Sequence, residues 1–160
     1  SDVCSSDLRD IITMKEQLDE QLVKRYPKIF RDRHGDIAQT CMVWGFECGD
    51  GWFNIINQLC SCIQNRIDWS EKAGSSYVIE QVVATQVKEK FGGLRFYYNG
   101  GDNVIDGMVG IAEAMSTVTC EQCGCPGKIF QKKSGWITTL CERHRDDGIP
   151  DKQYISSENC

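Results

Sequence analysis

Between Arg9 and Tyr26 the chain has a helical rhythm. Ile11, Leu18 and Leu22 recur near the 3.6-residue period with charged residues between them. Pro27 ends or kinks that helix. Lys28 to Arg33 then reads as a short helical turn anchored by Ile29 and Phe30, and His34-Gly35-Asp36 as a turn. The stretch from Trp44 to Phe53 is dense in glycine and aromatics, with Gly45, Gly49 and Gly51 in seven positions, which predicts a loop. Asp50 is placed to cap a helix in which Trp52, Ile55, Ile56, Leu59 and Ile63 share one face as far as about Trp69.

The period then changes. Glu71 to Ser76 is polar and predicts a loop, whereas Tyr77 to Lys90 is rich in Val, Ile, Thr and Tyr and predicts a strand. Gly92-Gly93 suits a tight hairpin turn. Leu94 to Tyr98 returns as a second strand, with Leu94, Phe96 and Tyr98 on one side and Arg95 and Tyr97 on the other. Asp102 predicts the cap of another helix, striped by Ile105, Met108, Val109, Ala112 and Met115, which leads directly into a cysteine-rich segment. Together these elements predict an α+β fold: helices packed on a short antiparallel sheet, with a zinc-ribbon-like module at the C-terminal side.

Size refines this division. A chain of 160 residues fits one domain and an appendage. Residues 9–117 are assigned to the α+β domain, 118–146 to the zinc-ribbon-like module and 147–160 to a flexible tail. The first eight residues, SDVCSSDL, resemble the in-frame translation of a sequencing-library adapter and are set aside as a non-native or disordered leader.

Ten cysteines admit either a secreted disulfide framework or metal binding in a reducing compartment. The amphipathic segments suggest a core that needs no staples, which favours the cytoplasm. The chain has no apolar run near the roughly 18 residues of a membrane helix, so no membrane partner is expected.

The spacing Cys120-x2-Cys123-x17-Cys141-x2-His144 decides the use of four of these side chains. Structural zinc takes four sulfur or nitrogen ligands in a tetrahedron, and a two-residue gap lets one tight turn aim two side chains at one ion. Gly124 suits such a knuckle, and Ile129, Phe130 and Gly135-Trp136-Ile137 suit a hairpin that closes the second pair onto the first. Cys125 competes with Cys123 but is followed by Pro126 and is the lesser candidate. With four protein ligands the ion stabilises folding and leaves no position for water or substrate.

Three motifs in order resemble a family of uncharacterised proteins from tailed phages, prophages and bacteria. They are Glu47-Cys48-Gly49-Asp50-Gly51-Trp52, then Val87-Lys88-Glu89-Lys90-Phe91-Gly92-Gly93-Leu94-Arg95-Phe96-Tyr97, then the segment from Cys120 to His144. The resemblance spans residues 40–146 and implies a phage or mobile-element origin and a zinc-ribbon-like end, without implying a reaction.

A net charge of −5 argues against general nucleic-acid binding, since phosphate recognition relies on clustered Lys and Arg. Local charge runs the other way at two places. Lys88, Lys90 and Arg95 flank the hairpin turn and form either a binding patch beside Tyr97 and Tyr98 or a solvated sheet face. The module from 118 to 145 carries Lys128, Lys132, Lys133, Arg143 and Arg145 against Glu121 and Glu142, a net +3, with Trp136 and Phe130 as stacking surface. Glu47, Cys48 and Asp50 are weighed as a catalytic group and set below the capping and packing roles of Asp50, Trp44 and Trp52, because no base is placed beside Cys48. Cys41, Cys60 and Cys62 are read as small buried hydrophobes. The expected function is non-enzymatic binding of a host or phage protein, inhibition of host defence being one such role. The alternative is a DNA- or RNA-binding regulator acting through the basic module.

Overall fold

The computed structural model describes residues 12–74, 77–132 and 134–145. Helix α1 (Glu16–Arg25) is followed by hydrogen-bonded turns, a 3-10 turn at Cys41–Trp44 and the short strand β1 (Phe46–Glu47). A second 3-10 turn, Asp50–Trp52, leads into α2 (Phe53–Lys72). The hairpin β2 (Val83–Lys90) and β3 (Gly93–Asn99) precedes α3 (Asn103–Ser116), and a second hairpin, β4 (Lys128–Gln131) and β5 (Ile137–Leu140), precedes the single turn α4 (Glu142–Arg145). The fold is α+β. Its main sheet has the order β1-β2-β3 and is mixed rather than purely antiparallel, because β1 runs parallel to β2, pairing Phe46 with Val87 and Glu47 with Lys88. Among the described residues no helix is long and apolar enough to cross a membrane.

The period-3.6 stripe falls as expected on Ile56 and Ile63 of α2 and on Trp52 just before it, all fully buried, with Leu59 nearly so, while Ile55 is only half-buried. They pack with Leu22, Ile29, Phe30, Phe46, Leu94 and Ile105 into one core. Phe30 is its aromatic centre, 5.0 Å from Phe46 and 6.3 Å from Phe96 between ring centroids, both edge-on.

Several expectations are corrected. Among the described residues helix α1 starts at Glu16, since the Met14 N–H donates to Phe46 O and the Lys15 N–H to Asp50 Oδ1, while residues 9–11 of the expected helix lie outside the described residues. That second bond, with the Lys15–Asp50 ion pair at 3.1 Å, also takes Asp50 away from the helix-capping role. Trp44 does not pack in the core and is 55% exposed. Strand β2 begins only at Val83, because the residues before it are tied to α2, where the Ile79 N–H donates to Ser70 Oγ. The hairpin turn is Phe91-Gly92, not Gly92-Gly93. Both turn residues have positive φ (53° and 78°), as a type I′ hairpin turn requires, and Gly93 already pairs with Lys90. Met115 faces outward at 52% exposure.

In its place, polar side chains of α3 serve the sheet. Strand β3 is an edge strand, and its unpaired N–H groups need acceptors. Ser116 Oγ accepts from Leu94 N at 2.8 Å and Glu113 Oε1 from Phe96 N at 3.0 Å, while Asp106 accepts from the Tyr98 hydroxyl. Asp102 caps α3 as expected, accepting from Ile105 N, and also binds Arg66 of α2 at 2.6 Å.

Asp19 and Arg33 form a paired-oxygen ion pair, with Nε and Nη2 each 3.0 Å from a carboxylate oxygen and Nη1 donating to Val43 O. Both side chains are largely shielded, at 10% and 21% exposure. Replacing one partner strands the other charge. Arg33→Ala is therefore expected to destabilise by about 3 kcal/mol, measured by denaturant unfolding.

Candidate metal centre

The Cys120-x2-Cys123 pair sits on a turn closed by Gly124 N–H donating to Cys120 O at 2.9 Å, and Gly124 takes φ 76° to make it. The second pair sits on α4, which starts immediately after Cys141. His144 is one turn along, with its N–H donating to Cys141 O at 3.1 Å, so both side chains leave the same face. Hairpin β4–β5 pairs Lys128 with Leu140 and Gln131 with Ile137, and so carries Cys141 back to the first knuckle.

The four ligand atoms of Cys120, Cys123, Cys141 and His144 all lie within 4.8 Å of one another. His144 Nδ1 is 3.3 Å from the sulfurs of both Cys120 and Cys141, and the sulfurs of Cys123 and Cys141 are 3.7 Å apart. That separation is far beyond the roughly 2.05 Å of a disulfide. The cluster has the donor set and spacing of a metal site. Its titration is already biased. Burial opposes ionisation of Cys141, but donors from His144, Cys123 and Cys120 lower its thiol to about 7. Burial and the neighbouring sulfurs push Cys123 up to about 12. Cys125 stays outside the set, with Arg143 Nη2 3.8 Å from its sulfur.

The module has little core of its own: Cys120, Leu140 and Cys141 with Cys125 and Phe130 beside them. It is held instead by docking onto the glycine-rich loop before α2. Gly51 N–H donates to Glu121 O at 2.7 Å, Gly49 N–H to Glu121 Oε1 at 3.0 Å, and Trp52 Nε1 to Thr119 O at 2.9 Å. The backbones touch. A Cβ at Gly49 would lie 2.3 Å from Glu121 O, and one at Gly51 2.2 Å from Cys120 O. The hairpin turn docks too: Thr139 Oγ1 donates to Gly92 O at 2.6 Å. All three sequence motifs thus meet around the cysteine module.

Glu121 is the residue the sequence reading missed. It lies between two ligands, is 1% exposed, and its carboxyl is raised to about 7. Burial is the main cause, opposed by the Gly49 N–H and reinforced by Glu89. The only sequence signal was an acid inside a ligand knuckle, which by itself looks like surface charge.

The remaining candidates are dispersed. Lys88 is half-buried with Glu47 and Arg95 as its cross-strand neighbours, so this end of the hairpin carries a row of mixed sign. Arg95 donates to Leu94 O, and Lys90 Nζ lies 5.8 Å over the Phe91 ring. Lys132, Trp136 and Arg143 are exposed on the module, while Lys133 lies outside the described residues. Cys48 is fully buried and its thiol is pushed well up by burial and by Glu121, Asp50, Glu89 and Glu47, which removes it as a nucleophile. Cys60 is buried as expected. Cys62 is exposed, because it falls on the outer side of α2, and Cys41 is half-buried.

Searches among protein-family models, curated proteins and solved structures find no match to this chain.

The docking makes a sharp prediction. Gly51→Ala should destabilise by about 1–3 kcal/mol through backbone overpacking and speed metal loss to a chelator. Glu121→Gln, which keeps the acceptor for Gly49 and removes the buried charge, should be tolerated, whereas Glu121→Ala should not. Thermal unfolding and chelation kinetics of the three variants check this ranking.

Proposed function

We propose that the protein is a non-enzymatic binding protein, of phage or prophage origin, whose C-terminal module is held by structural zinc and which acts on a host or phage protein. Three thiolates and an imidazole are the donors of a soft to borderline ion, not of calcium or magnesium. A tetrahedral zinc with its usual bond lengths puts sulfurs about 3.8 Å apart and sulfur about 3.6 Å from nitrogen. The distances of 3.7 and 3.3 Å are close to these. Such an ion is saturated by protein ligands, so Cys120, Cys123, Cys141 and His144 would bind and orient it for folding. The phage origin and a role such as blocking host defence rest on the motif resemblance.

The observation that carries the binding reading is Phe91. It is 69% exposed and held at φ 53°, a conformation that costs a side-chain-bearing residue roughly 1–2 kcal/mol. The turn that presents it rests on Ile137 and Thr138, next in the chain to Trp136, which is 50% exposed, and on the same small module Ile129 is 48% exposed. Rigid exposed aromatics of this kind suit the anchors of a protein interface.

A second reading, nucleic-acid binding through Lys132, Trp136 and Arg143, is favoured by the exposure of these three side chains. The net charge of −5 weakens it.

Elemental analysis should find one zinc per chain. Affinity capture from nuclease-treated host lysate should retain a protein partner at moderate salt. Phe91→Asp or Trp136→Ala should weaken that complex by about 2 kcal/mol, roughly thirtyfold. Binding that is abolished by nuclease, falls steeply with salt and depends on Lys132 and Arg143 would replace this reading with the nucleic-acid one.

A further inference from the structure

The cysteine module holds one thiol more than its metal needs. Cys120, Cys123, Cys141 and His144 complete a four-ligand set, and Cys125 is left over. It is not remote from the set. Its side chain hydrogen-bonds with that of Cys123, and its backbone N–H donates to the Cys123 sulfur. Its carbonyl accepts from Cys120 N at 2.7 Å, and its sulfur accepts from Arg143 Nη2, on the turn of helix that carries His144. Gly124 alone separates Cys123 from Cys125 and takes φ 76°, so the chain turns sharply between them.

Access singles out the same pair. Cys120 and Cys141 are buried, whereas Cys123 is exposed and Cys125 half-buried. A reagent from solvent therefore meets the Cys123 sulfur before the other two ligand sulfurs. Cys60 and Cys62 have the same spacing but lie on α2, where residues two apart do not face each other. There Cys62 is exposed and Cys60 buried, so Cys62 has no thiol at its side.

We propose that Cys123 and Cys125 form an oxidation site, a dithiol that a hydroperoxide converts to a disulfide, with release of the metal. The metal release rests on the zinc reading above. A sulfur that holds zinc is a thiolate. The Cys123 thiolate attacks one peroxide oxygen, the O–O bond breaks and the other oxygen leaves as hydroxide, which gives a sulfenic acid. The Cys125 thiol then attacks that sulfur. The S–S bond forms, the S–O bond breaks, and the departing hydroxide takes the thiol proton and leaves as water. Two electrons pass from the two sulfurs to the peroxide. A site left with three donors gives up its ion, and the module, with its small apolar cluster, loosens from Gly49 and Gly51. Cys125 keeps the change reversible, because a sulfenic acid with no thiol beside it goes on to sulfinic acid.

Treatment of the full zinc-loaded chain with hydrogen peroxide tests this, in a Cys62→Ser background so that the exposed thiol of α2 does not compete. A colour-forming chelator follows the zinc, and peptide mass mapping follows the thiols. Zinc release should match the appearance of a Cys123–Cys125 bridge, and a dithiol reductant should restore zinc binding. Cys125→Ser should bind zinc as the parent does, because it is not a ligand. Under peroxide it should lose the zinc without recovery and carry sulfinic acid at Cys123. A bridge from Cys123 to Cys120 or Cys141 overturns the proposal, and so does full recovery by Cys125→Ser. It is equally overturned if the module keeps its zinc and thiols at a peroxide dose that oxidises Cys62 in the unsubstituted chain. A chain purified without metal defeats the zinc reading instead, and the bridge mapped in it after peroxide still decides whether Cys123 and Cys125 are the reacting pair.

Discussion

Between the loop at Gly49–Gly51 and the knuckle at Cys120–Gly124 there is no room for a single β-carbon on either loop glycine. Two stretches of main chain, 72 residues apart between Gly49 and Glu121, lie against each other and exchange hydrogen bonds. Main chain approaching main chain this closely needs residues without side chains and leaves every buried N–H in need of a partner. The glycines meet the first need and Glu121 the second, offering its carbonyl to Gly51 and its carboxyl to Gly49. The cysteine module, whose own apolar cluster is three buried residues, depends on that contact and on the ligand cluster it encloses.

The same contact explains the chemistry of the interior. Cys48 precedes the docked glycine and is sealed under the module, so its thiol has neither access nor a reason to ionise. Burial raises the carboxyl range of both Glu121 and Glu89, Glu89 adds to the rise at Glu121, and each is partly relieved by a backbone N–H, from Gly49 and Gly92 respectively. These acids hold loops in place.

Helix α3 shows how one element meets two constraints. Its inner side must cover the edge of β3, and Ser116 and Glu113 satisfy main-chain groups that the strand leaves open. Its outer side leaves Val104, Ile111 and Met115 exposed. At the turn of the hairpin, Phe91 is held in a costly backbone conformation with its ring in solvent. Both features lie on the outside of a well-packed core, where folding alone does not account for them.

Most of the local structure was legible in the residues. The period-3.6 stripe of α2, the hairpin, the cap at Asp102 and the matched spacing of Cys120, Cys123, Cys141 and His144 follow from propensities and ligand geometry that act over a few positions. The cluster was readable as two pairs because each pair is a local turn. What the sequence could not disclose depends on which surfaces meet. Asp50 has the chemistry of a cap, but Lys15 reaches it first. Gly49 and Gly51 look like loop glycines, but they are the seat of a distant knuckle. Glu121 looks like surface charge, but lies buried as their acceptor. In each case the deciding partner lies tens of residues away, and only the packed chain brings it within hydrogen-bond distance.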